Sequence, residues 1–121
     1  MDTIISEKAL RAFMERVFEK EGFSAPDART IADVLMQADL FSIESHGAQR
    51  MMYYHQNIAS GSVNVHAVPE IVRQTPVSAL LDAHFAMGQL SGTTAMRLRR
   101  SSRRIWRTSS PSTSTRPAVA S

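Results

Sequence analysis

The chain has 121 residues, a formal net charge of +3 and no cysteine. That length accommodates one small domain, the missing thiols exclude a disulfide framework and any thiolate metal site, and no apolar run approaches the roughly 18 residues of a membrane span. The N-terminal stretch Met1-Asp2-Thr3-Ile4-Ile5-Ser6-Glu7 has neither a basic leader nor a long apolar core, so a cytoplasmic protein without a signal peptide is expected.

Ser6 is placed to cap a first helix, in which Leu10, Phe13, Met14, Val17 and Phe18 recur with helical spacing and form one apolar face. Gly22 ends it. Ser24 caps a second helix with Pro26 in its first turn. Ala28, Ile31, Leu35 and Ala38 form its stripe, and the short break between the two helices predicts an antiparallel pair. Asp33 and Asp39 stand too far apart in the sequence to share a helical face, and both are expected to be solvated or locally paired. A third helix is expected from His46 to about residue 59, with Ser45 as cap, Gly61 as terminator and Ala48, Met51, Met52, His55 and Ile58 as its apolar stripe.

Beyond Ser62 the pattern changes. Val63, Val65 and Val68 are β-branched and Pro69 bars a regular helix. Glu70–Thr75 and Val77–Ala83 read as strands on either side of Pro76. Phe85–Gln89 reads as a turn, and a fourth helix should begin near Gln89 or Leu90. Three helices, two strands and a helix make the front of an α+β or α/β domain, and two strands alone make a marginal sheet.

The charge is unevenly placed. Residues 1–96 hold all 11 acidic groups and 7 of the 14 Lys+Arg, for a net −4, whereas residues 97–121 hold 7 Arg and no acid, for a net +7. The segment 98–121 is rich in Arg, Ser, Thr and Pro, and disorder is expected from about Thr108 onward. Between Gly92 and Met96 the apolar periodicity of the fourth helix is cut off in mid-course. One functional class consistent with this asymmetry is a small helical nucleic-acid-binding module, its arginines on phosphates and Trp106 stacking on a base. Against it, the first 96 residues are acidic and their helices carry no basic stripe. A helical interaction protein is a third class.

The chemistry concentrates in Glu44-Ser45-His46-Gly47-Ala48-Gln49-Arg50-Met51-Met52-Tyr53-Tyr54. A helix starting at His46 would hold His46 and Arg50 one turn apart on one face. An imidazole beside a cation at a helix start can bind a carboxylate and move a proton. The purely structural alternative is a helix cap, a core-edge histidine and a surface arginine.

The pattern Ala38-Asp39-x-x-x-Ile43-x-Ser45-His46-Gly47-x-x-Arg50 resembles the N-terminal signature of the malate/L-lactate dehydrogenase family, the non-Rossmann NAD(P)-dependent group that includes ureidoglycolate, sulfolactate and diketogulonate oxidoreductases. The likeness continues through Tyr53-Tyr54, Gly61, Pro69, Thr75–Ala79, Asp82, Gly88-Gln89 and Ala95-Met96, and covers residues 1 to about 97. It implies the N-terminal three-helix segment and first strands of that family's domain. It also implies hydride transfer between NAD or NADP and a 2-hydroxy or 2-keto acid of the malate, lactate or sulfolactate kind, with ureidoglycolate next, in a homodimer. By resemblance, His46 is the acid/base, Arg50 clamps the substrate carboxylate, Tyr54 adds a phenolic hydrogen bond, and Ser45 caps the helix, holds the histidine, or both. The family carries a second active-site histidine further along its chain, which is the other candidate for the acid/base.

Two departures stand out. Phe41-Ser42 occupy the place where the family has Arg-Gly. After Met96 the family's Ala- and Lys-rich helix, its later histidine loop and its cofactor-binding part do not follow, and a reading-frame change or equivalent truncation near Met96–Arg99 is expected. On that expectation the cofactor-binding region is missing from this chain, and the chain alone is inactive.

Overall fold

The computed structural model describes residues 3–108. Helix α1 spans Glu7–Lys20 and α2 spans Ala25–Leu40. Each begins on the expected serine: Ser6 Oγ accepts from Ala9 N, and Ser24 Oγ accepts from Asp27 N at 3.3 Å. A serine in this position satisfies one of the amide donors that a helix start leaves unpaired. Each helix also ends on a left-handed residue with the paired hydrogen bonds that collect its last carbonyls. At α1 the residue is Gly22, with Phe23 N donating to Phe18 O. At α2 it is Ser42, with φ +60°, and Ile43 N donates to Ala38 O at 2.8 Å.

The two helices pack along each other as an antiparallel pair. Phe18 meets Phe23 edge-on near the turn, and farther away Arg11 bridges Asp33 on α2 at 2.6 Å and Glu7 one turn back at 3.1 Å. Those two carboxylates, Asp33 foremost, raise the Arg11 pKa above its ordinary value. Met14, Phe18, Phe23, Ala28, Ile31, Ala32, Leu35 and Met36 form the core together with Met87 and Leu90 from farther along the chain. Phe13, expected on the buried face of α1, is instead about half exposed.

The third helix departs from expectation at its start. Two 3₁₀ turns, Glu44–His46 and Ala48–Arg50, precede α3, which spans only Met51–Ala59. Ser45 therefore caps no helix. Met52 and His55 are exposed rather than part of a buried stripe, and His55 Nδ1 meets the Glu21 carboxylate at the end of α1. Gly61 closes α3 with φ +80°.

Strands β1 (Glu70–Gln74) and β2 (Ala79–Asp82) form an antiparallel two-stranded sheet with an irregularity between Ile71 and Arg73. The second strand begins two residues later than expected, because Thr75 Oγ1 gathers Val77 N, Ser78 N and the Ser78 hydroxyl into the connecting turn. Helix α4 spans Gly88–Thr108 and runs unbroken through Met96–Arg99. The disorder expected beyond Thr108 falls outside the described residues. Among the described residues no helix is long and apolar enough to cross a membrane.

Candidate functional site

The segment between α2 and α3 is shaped by Asp39. Its carboxylate, in the last turn of α2, accepts from Ala48 N at 2.8 Å. A carboxylate at a helix C-terminus opposes the helix dipole, so a specific donor is what makes this position favourable. The same carboxylate lies against the backbone of Gly47: a Cβ built there would stand 1.7 Å from Asp39 Oδ1 and 2.2 Å from its Cγ. Only glycine allows this approach. Asp39 was expected to be solvated or locally paired; its partner is in fact an amide nine residues away, and it pins the Ser-His-Gly turn onto α2.

Ser45 and His46 lie on the outside of that turn, both exposed, while Gly47 is buried. Ser45 Oγ stands 2.9 Å from His46 Nδ1. His46 and Arg50 do not share one helical face as expected. They end two separate 3₁₀ turns on either side of Gly47, and the link between them runs through Ser45, whose carbonyl accepts from Arg50 Nε at 2.6 Å. The Arg50 guanidinium carbon lies 5.6 Å from the centre of the Tyr53 ring, within range of a cation–π contact. Tyr53 meets Tyr54 edge-on, and the Tyr54 hydroxyl accepts from Gln89 Nε2 of α4 at 3.0 Å. Gln49 holds the Glu44 carbonyl at the other end of the turn.

The four predicted residues are thus brought together as a chain of contacts, from His46 through Ser45, Arg50 and Tyr53 to Tyr54, anchored at one end by Asp39 on α2 and at the other by Gln89 on α4. Arg50 is half-buried and its Nε is engaged, while its two terminal nitrogens make no hydrogen bond to the described residues. Asp39, Tyr53 and Gln89 had no assigned role in the sequence. All three stand within the family pattern, and the glycine directly after the histidine marks a close backbone approach.

The family description malate/L-lactate dehydrogenase matches residues 5–103. The chain belongs to the malate/L-lactate dehydrogenase family. It is similar to a malate dehydrogenase of Pyrococcus abyssi, 44% identical over 94 residues, which are 78% of this chain and 26% of that protein. It is also similar to a ureidoglycolate dehydrogenase (NAD(+)) of Escherichia coli strain K12, 35% identical over 92 residues, 76% of this chain and 26% of the relative. The solved malate dehydrogenase of Pyrococcus horikoshii OT3 superimposes with a TM-score of 0.82 at 36% identity, over 85% of this chain and 30% of the solved one. The chain therefore spans about a quarter of the length of the curated relatives it matches, an N-terminal portion of the family domain. Ser42, where the resemblance led to the expectation of a glycine, adopts the left-handed turn as serine.

Proposed function

We propose that Ser45–Tyr54 is the substrate-side half of an NAD(P)-dependent 2-hydroxy acid dehydrogenase site. The favoured substrate is a malate-like acid, and ureidoglycolate is the next candidate. The observation that carries this reading is the pairing of an exposed imidazole with a guanidinium whose orientation is already fixed. Arg50 is held through Nε by the Ser45 carbonyl, so both terminal nitrogens remain for an end-on carboxylate. In this reading His46 works at Nε2. With its Nδ1–H donating to Ser45 Oγ, Nε2 accepts the proton of the substrate hydroxyl as the alcohol is oxidised; protonated at both nitrogens, it returns that proton when the keto acid is reduced. Tyr54 accepts from Gln89, so its own hydroxyl proton is available to a substrate oxygen.

In this reading the dinucleotide is not held by the described residues. A cavity of about 180 Å³ lies away from this segment, lined by residues including Asp27, Thr30, Leu90, Thr93 and Arg97, and is smaller than the ~300–1,000 Å³ common for cofactor and ligand sites. The backbone at Gly47 faces a carboxylate rather than open space. The chain's own residues account for carboxylate binding and proton movement, and dehydrogenase activity is not expected of this chain alone.

The test is a titration of the ¹⁵N-labelled chain with L-malate, followed by amide and imidazole resonances. Shifts centred on Ser45–Tyr54, abolished by Arg50→Ala and weakened by Arg50→Lys, are expected. Shifts located elsewhere, or micromolar NADH binding by fluorescence, would refute the proposal.

A further inference from the structure

The face of α4 that borders α2 turns polar where packing would keep it apolar. Leu90, Thr93, Thr94 and Arg97 recur at i, i+3, i+4 and i+7, the spacing of one helical face. Leu90 is buried in the core, but two hydroxyls and a guanidinium follow it where an apolar stripe would continue. The result is a cavity of about 180 Å³ rather than a closed contact. Asp27 and Thr30, near the start of α2, supply its second wall, and the segment 67–69 supplies an aliphatic third. Asp27 precedes Asp39 by twelve residues on the same helix, so the cavity lies roughly 18 Å along α2 from the Ser-His-Gly turn.

The lining has a definite pattern of donors and acceptors. Thr93 Oγ1 donates to the Gln89 carbonyl at 2.7 Å, Thr94 Oγ1 to the Leu90 carbonyl at 2.9 Å, and Thr30 Oγ1 to the Pro26 carbonyl at 3.1 Å. Each hydroxyl hydrogen is thereby committed within its own helix, and each oxygen has only lone pairs left to offer. The Asp27 carboxylate is a fourth acceptor. Its place in the first turn of α2 suits an anion, yet it receives no hydrogen bond from the described residues. Arg97 is a donor only, and it makes no ion pair with Asp27 or any other carboxylate among the described residues. Two unlike charges thus border one small cavity without meeting.

We propose that this cavity binds a small amino acid as its zwitterion, the ammonium group on Asp27 and the threonine oxygens and the carboxylate on Arg97. An anion alone would leave the Asp27 carboxylate facing like charge, and a cation alone would do the same to the guanidinium. A molecule carrying both signs complements both. The cavity is below the ~300–1,000 Å³ of drug-sized ligands, which restricts the guest to a few heavy atoms. Leu90 and the segment 67–69 offer apolar contact to a short aliphatic side chain. Arg97 follows directly on Met96, the last residue of the family pattern read in the sequence, so the site is a property of this chain. The inference is independent of the roles proposed for His46 and Arg50.

The experiment titrates the ¹⁵N-labelled 121-residue chain with L-alanine and L-valine, and with propionate and propylammonium as single-charge controls. Saturable shifts of the Thr30, Val68, Thr93 and Thr94 amides by the amino acids are expected, with the millimolar dissociation constants that suit so small a ligand. Because each charged contact counts, either control should bind at least roughly tenfold more weakly, and Asp27→Asn and Arg97→Gln should each weaken the amino acids by a similar factor. Neither side chain is held by another among the described residues, so the far-UV circular dichroism of each variant should match the parent and its melting temperature should stay close to it. That separates lost binding from lost folding. No saturable shift, equal binding of either control, or variants that bind as the parent does would overturn the proposal. So would amino-acid shifts centred on Ser45–Tyr54. L-malate carries no ammonium group and should leave the cavity amides unmoved, so a failure at this cavity is distinct from a failure of the dehydrogenase site assignment.

Discussion

Replacing Gly47 by alanine tests the account of how the Ser-His-Gly turn is held. The new Cβ would sit 1.7 Å from Asp39 Oδ1, 2.2 Å from Cγ and 2.6 Å from Oδ2, well inside van der Waals contact, so the carboxylate must leave. Leaving breaks its hydrogen bond to Ala48 N, at present 2.8 Å long. A hydrogen bond to a charged group contributes about 1.5–3 kcal/mol, and the partial exposure of Asp39 favours the lower part of that range. The expected loss is about 2 kcal/mol, which for a domain of this size lowers the melting temperature by roughly 8–16 °C. The assay is thermal and urea unfolding by circular dichroism on Gly47→Ala, Asp39→Ala and the double variant. If the clash is with the carboxylate, Gly47→Ala should cost no more than about 0.5 kcal/mol once Asp39 is already alanine, leaving a coupling of about 1–2 kcal/mol. Equal costs in the two backgrounds would refute the reasoning and place the requirement for glycine elsewhere in the turn.

Two further outcomes are expected. Ser42→Gly relieves a left-handed serine at the end of α2; set against the added freedom of glycine in the unfolded chain, the gain should be about 0.5–1 kcal/mol by urea unfolding, and an unchanged or lower midpoint would contradict it. Translation of the coding DNA across codons 95–100 in all three frames should reveal one that continues an Ala- and Lys-rich helix in place of the arginine-rich stretch, and the absence of such a frame would end the frame-change hypothesis.

The elements that depend on neighbours within a few residues were legible in the chain itself. The starts of α1 and α2 are written in Ser6 and Ser24, and the ends of α1 and α3 in Gly22 and Gly61, because caps act over three or four positions. The α2 stripe predicts its buried face for the same reason. The family pattern around Ser45, His46 and Arg50 identified the segment where the contacts converge. The third helix was read wrongly because serine followed by histidine looks like a cap followed by a helix start. What displaces that start by five residues is Asp39, which lies outside the segment and takes Ala48 N for itself.

Tertiary structure alone decided the rest. No local pattern states that Gln89 of α4 holds Tyr54 of α3, 35 residues away, or that Arg50 reaches the Ser45 carbonyl instead of standing above His46 on one helix. The residue types and their order thus determined the capped helices, the hairpin and the identity of the chemical groups. Their geometry is set by long-range contacts, because a carboxylate or an amide pairs with whatever donor or acceptor the packing of α2, α3 and α4 brings within about 3 Å.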